Sequence, residues 1–176
     1  MYIIYVKWLF YLVIIILCGC QGINEEKNIP QSDLPSEEFI DAVVQLSSGV
    51  HHRAIMKAEI LKNYSESELS KGWGLNIQFY DSIGNQIAYI IADSGIIESE
   101  EVFSLYGDIL LTTPEPSSLW CKELYWEPKN ELVKSDKPVR LKQRGEVIEA
   151  DGLRSDINLK RIEFIGNVRG KIKDEY

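Results

Sequence analysis

The chain has 176 residues, 27 acidic against 19 basic side chains, a formal net charge of −8, 45% apolar residues and three cysteines. That length and apolar content suffice for one domain with its own core. The acidic balance argues against nucleic acid, and against an anionic bilayer, as the main partner.

In chain order, the first element concerns the membrane. Lys7 is the sole charge of a short leader, residues 8–17 form an unbroken apolar stretch, and Leu17-Cys18-Gly19-Cys20 comes next. A stretch of that length is a signal-peptide core, whereas a membrane span needs about twenty residues. The tetrapeptide has the lipobox pattern, so residues 1–19 are predicted to be a lipoprotein signal peptide and Cys20 the lipidated anchor. The competing reading is an uncleaved anchor over residues 2–19, which would bury Lys7 at an awkward depth. Both readings put the rest of the chain outside the inner leaflet.

Residues 20–35 are rich in Asn, Glu, Pro and Ser without an apolar pattern, and are predicted to be a flexible tether. Residues 36–46 fit either a short helix capped by Ser36 or a strand entering a sheet. Residues 54–61, 74–80 and 86–92 read as strands, the last two joined by a turn at Asp81-Ser82-Ile83-Gly84-Asn85. They form the long, degenerate first unit of a repeat that becomes regular further along the chain.

From residue 92 onward a block of about thirty residues recurs three times, a fixed period that signals stacked supersecondary units. The copies begin at Ala92-Asp93, Cys121-Lys122 and Ala150-Asp151, and end at Gly107-Asp108-Ile109, Lys137-Pro138-Val139 and Gly166-Asn167-Val168. Ala92, Cys121 and Ala150 are spaced by 29, and Ile109, Val139 and Val168 by 30 and 29. Within each copy apolar and polar residues alternate at period two, which is the strand pattern. Leu105, Gly107, Ile109 and Leu111 fall on one face by that alternation. Pro114-Glu115-Pro116, Pro128-Lys129-Asn130, Arg144-Gly145 and Asp156-Ile157-Asn158 supply the turns. Each copy is therefore predicted to be an antiparallel hairpin, and the fold all-β.

Alternation around the small anchor residues assigns Ile90, Ala92, Leu119, Cys121, Ile148 and Ala150 to the interior. Ile109, Val139, Leu141 and Val168 join them from the returning strands. Such residues either pack as ordinary core or line a groove for acyl chains, and the small side chains at 92, 121 and 150 leave room beside bulky neighbours. At the C-terminus Val168, Gly170 and Ile172 alternate with Arg169, Lys171 and Lys173. This cationic edge either blunts an exposed strand against aggregation or accepts a partner strand by β-augmentation.

Chemistry-bearing residues are sparse. Cys121 occupies a position that the other copies fill with alanine, so it reads as a small buried residue rather than a nucleophile. His51 and His52 are adjacent and would face opposite ways in a strand. The acidic pairs Glu25-Glu26, Glu37-Glu38 and Glu100-Glu101 lie in linker or turn contexts, and no phosphate loop or nucleophile elbow is present. No catalytic activity, cofactor or metal site is expected.

The segments 119–126, 130–139, 147–153 and 165–170 resemble the C-terminal half of the LptC family, the periplasmic component of lipopolysaccharide export, and the similarity extends over residues 54–172. LptA and the N-terminal domain of LptD share the hairpin repeat. The resemblance implies an open, twisted β-jellyroll over residues 36–176, a trough whose apolar interior holds lipopolysaccharide acyl chains. It further implies receipt of that lipid from the LptB, LptF and LptG transporter and delivery to an LptA-like bridge, docked at the edge Val168, Arg169, Gly170, Lys171 and Ile172. The alternative is an outer-membrane lipoprotein related to LptA or LptD that acts as scaffold or bridge; Gln21 after Cys20 fits outward sorting. Many relatives keep a transmembrane helix where this chain has a lipobox, which bears on the anchoring and not on the trough.

Overall fold

The computed structural model describes residues 34–48, 52–98 and 102–171. The leader, Cys20, most of the tether, His51, the Glu100-Glu101 pair and Ile172 lie outside them. The described residues form ten strands: β1 (Glu37–Ser48), β2 (His52–Tyr64), β3 (Leu69–Tyr80), β4 (Gln86–Glu98), β5 (Val102–Thr113), β6 (Ser117–Glu127), β7 (Leu132–Ser135), β8 (Val139–Gln143), β9 (Glu146–Asp156) and β10 (Ile162–Lys171). All pair antiparallel in one sheet, in chain order, with β1 and β10 at its edges. The fold is all-β, as the alternation predicts, and the segment compatible with helix or strand is β1.

The middle hairpin departs from its siblings. Its returning arm is split, with β7 pairing one end of β6 and β8 the other, and both pairing β9. Pro138 lies in the gap between β7 and β8 and has no N–H to donate to a ladder, so one continuous strand is not available there.

The register aligns the anchor residues into a single row across the sheet: Ala42, Ala58, Leu75, Ala92, Ile109, Cys121, Val139, Ala150 and Val168. From β2 onward small and branched side chains alternate, so Ala92, Cys121 and Ala150 each sit between two larger ones. The room that small side chains leave inside is therefore taken up by their cross-strand neighbours. From Ala58 to Ala150 the row is buried.

One step along the strands lies a second row: Asp41, Glu59, Gly74, Asp93, Gly107-Asp108, Lys122, Pro138, Asp151 and Gly166-Asn167. Here the sheet changes phase. In β2 the buried series runs Ala54, Met56, Ala58 and then Leu61; in β4 Ala88, Ile90, Ala92 and then Gly95; in β6 Leu119, Cys121 and then Leu124, Trp126. Two consecutive outward residues thus replace strict alternation, and the face predicted to continue from Leu105 through Gly107 to Ile109 is broken at Gly107. Bulges fall at this row between β4 and β5, between β5 and β6, and between β9 and β10. Gly107 and Gly166 have φ of +96° and +78°, the left-handed conformation that a bulge of this kind assigns to glycine. Facing carboxylates hold the freed backbone: Asp108 N–H donates to Asp93 Oδ2 at 2.7 Å, and Asn167 N–H to Asp151 Oδ2 at 2.8 Å. That is why the repeat carries Ala-Asp in one strand and Gly-Asp or Gly-Asn in its partner.

The sheet folds along this crease. Phe79 is in register with Ser117, and Trp126 lies nine residues further along β6, about 30 Å in a flat sheet. Their rings nevertheless meet edge to face at 4.8 Å, and Phe103 packs on Trp126 at 4.6 Å. The two slabs on either side of the crease therefore close face to face over one core of buried residues from β2 to the β9–β10 loop. Gln143 Nε2 completes the closure at the far side, donating to the Leu159 carbonyl at 3.2 Å.

Candidate functional site

Two surfaces present themselves, the interior of the folded sheet and a groove on its outside. Of the residues assigned to the interior by sequence, Ile90, Ala92, Ile109, Leu119, Cys121, Val139, Leu141 and Ala150 are buried and belong to the core cluster. Ile148 is half-buried, and Val168 is 52% exposed because β10 is an edge with no strand beyond it among the described residues. Gly170 pairs with Ile148, and a Cβ built on it would meet nothing within 4 Å. Beside Gly72 and Gly95, which face one another across β3 and β4, lies an apolar internal void lined also by Met56, Leu75 and Phe103; it has no room for a water molecule. The interior in this structure is packed.

Burial pushes the Cys121 thiol up to about 12, so it is protonated at any physiological pH. The folded chain is expected to resist thiol alkylation at Cys121 at pH 8 and to react once denatured, read by peptide mass spectrometry. Labelling of the native chain at the rate of a free thiol would show that the small-residue row opens there.

The second surface goes beyond the sequence-based expectations. On the outside, two rows of side chains straddle the anchor row: Ile91, Leu110, Trp120, Arg140, Glu149 and Arg169 on one flank, and the crease residues Asp93, Asp108, Lys122, Pro138, Asp151 and Asn167 on the other. Between them runs a groove of about 720 Å³ that reaches down to Ile109, Cys121, Val139 and Ala150. The sequence carries a signal for it, since positions 91, 120 and 149, and 110, 140 and 169, keep the repeat spacing of the anchors. The signal lies in the outward phase of the alternation, whereas the predicted interior follows from the inward phase alone.

The crease flank is electrostatically settled. Lys122 donates to Asp108, which raises the lysine pKa. The backbone and side-chain N–H groups of Asn167 both donate to Asp151 and hold its carboxyl below the usual carboxylate range. On the other flank Arg140 lies 6.0 Å from the Trp120 ring centroid. Among the described residues no group of three or more His, Cys, Asp or Glu side chains could hold a metal ion.

The family described as "Lipopolysaccharide-assembly, LptC-related" matches residues 10–173. The chain belongs to the LptC family. Among solved structures it is similar to LptH from Pseudomonas aeruginosa, described as the LptA homologous periplasmic component of the conserved lipopolysaccharide transport device. The TM-score is 0.55 at 7% identity, covering 68% of this chain and 94% of that one. At that identity the likeness is one of fold, and it matches the jellyroll that resemblance to the LptC family implies. No curated protein matches the sequence.

Proposed function

We propose that this LptC-family chain is the lipid-anchored, periplasm-facing component of lipopolysaccharide export that receives lipopolysaccharide from an LptB, LptF and LptG transporter and hands it to an LptA-like bridge without altering it. The observation that carries the reading is the apolar row that crosses the whole sheet and ends at an open edge on each side. Among the described residues β1 and β10 each have one side without a strand partner, and apolar side chains are exposed at both: Phe39, Ile40 and Val43 on β1 and Val168 on β10. A strand added at either edge extends the apolar interior into the neighbour, which is what passage of acyl chains between proteins requires. Arg169, Gly170 and Lys171 lie on the β10 edge, with docking through their backbone. Because the interior is packed, acyl chains enter only as the slabs part along their far side, opposite the crease. The tether through Cys20 belongs to this proposal.

A photo-crosslinking residue at Ile148, at the rim of the interior, is expected to capture lipopolysaccharide in cells, whereas one at Glu149, which faces out, is not. Equal capture of lipopolysaccharide at both positions would overturn the assignment of faces. Capture at neither, with an LptA-like partner still bound, would favour the scaffold reading.

A further inference from the structure

The net charge of −8 sets the chain against an anionic bilayer, yet its charges are unevenly spread. Lys57, Arg140, Lys142 and Arg169 all project from the outer face of one slab, with Arg144 in the turn at its end, and all are exposed. Among the described residues none of the five takes part in an ion pair, whereas Lys62, Lys122, Lys134 and Arg161 do. The acids on the same face are Glu149, between Arg140 and Arg169 in the cross-strand row, and Asp81, Glu115 and Glu146 in the turns at its end, with Asp41 and Glu59 in the crease row. On the crease flank Asp93 and Asp151 are engaged by backbone N–H groups and Asp108 by Lys122, and Asp151 also attracts Arg169.

Apolar side chains accompany these cations. Ile91 is 41% and Trp120 40% exposed, and Leu110 lies between them in the same row. A groove with a tryptophan and aliphatic side chains at one end and the exposed Arg140 and Arg169 at the other is complementary to an amphiphile with an anionic head. Aromatic rings and cations together are also the composition that settles at a membrane–water boundary.

We propose that this groove and the cationic face around it lie on the surface of an anionic bilayer, with lipid phosphates at Arg140 and Arg169 and the glycerol and upper acyl region against Ile91, Leu110 and Trp120. The folded domain is thereby laid on the membrane on its closed outer side, leaving the far side and both edges free. The inference concerns the outside of the trough and stands whether or not the inside carries lipopolysaccharide.

The test uses the full chain in vesicles of phosphatidylcholine with or without phosphatidylglycerol, carrying a photo-crosslinking residue at Lys142 or, on the outer face of the other slab, at Ser104. Lipid adducts at 142 are expected with phosphatidylglycerol, with roughly tenfold or greater loss in pure phosphatidylcholine or when Arg140→Glu and Arg169→Glu are combined. Lys71→Glu with Lys134→Glu, on the other slab, should leave the yield at 142 unchanged. Equal yields at 142 and 104, indifference to phosphatidylglycerol, or capture in cells of an acidic protein in place of phospholipid would each overturn the proposal. Failure of lipopolysaccharide capture at Ile148 leaves these readouts untouched.

Discussion

Replacing Trp126 with alanine is expected to destabilise the domain by about 3–5 kcal/mol, the usual cost of removing a large buried aromatic side chain. Trp126 is 2% exposed, and its ring is held edge to face by Phe79 of the opposite slab and flanked by Phe103 of its own. Its loss removes apolar burial and the contact that locks the two slabs together across the crease. Urea unfolding followed by circular dichroism measures this as a lower midpoint at an unchanged slope. Trp120→Ala, which truncates a 40% exposed ring on the outside, should stay within about 1 kcal/mol of the parent. If the two variants unfold alike, the slabs do not close through Trp126.

Gly107→Ala is the second change with a large expected effect, about 2–4 kcal/mol. Any residue other than glycine at φ +96° incurs a backbone cost of about 1–2 kcal/mol. In addition, the new Cβ would collide with the Asp93 carboxylate that accepts the Asp108 N–H. Asp93→Ala alone removes that acceptor with a smaller loss. In Gly107→Ala combined with Asp93→Ala the clashes with the carboxyl group are gone and only that with the Cβ of residue 93, at 2.6 Å, remains, so the double variant should be more stable than the sum of the single losses predicts. Additive losses in urea midpoints would mean that the carboxylate and the bulge do not act as a unit.

These two residues also mark what the sequence reveals and what it withholds. Ala92, Cys121, Ala150, Ile109, Val139 and Val168 form one row because their spacing in the chain is also their spacing in the sheet, so hairpins, pairing order and inward phase near the anchors are legible from period alone. The crease is not, because period-two alternation carried through Gly107 keeps the same parity on either side. Asp93, Gly107, Asp151 and Gly166 recur at the repeat spacing, yet that they form a bulge and its clasp is a matter of backbone conformation. Phe79 and Trp126 are 47 positions apart and belong to no common repeat position; their contact follows from the folding of the sheet on itself, a long-range property. The split of the middle returning arm at Pro138 is, in contrast, readable in principle from the missing N–H. The outer groove is in reach as well, because Ile91, Trp120 and Glu149 share the anchors' period.

The crease separates two dimensions of the molecule. The cross-section is set at the crease row, where the β4–β5 and β9–β10 hairpins are clasped by a carboxylate and the middle hairpin is split at Pro138. The length is set by how many strands stand side by side, at roughly 4.8 Å apiece. A hairpin of the Ala-Asp and Gly-Asn type inserted in register would thus lengthen the folded sheet by about 10 Å without changing its cross-section. Cross-section and length are encoded in different residues, so a chain of this design can change the distance it spans by gaining or losing copies while its profile stays fixed.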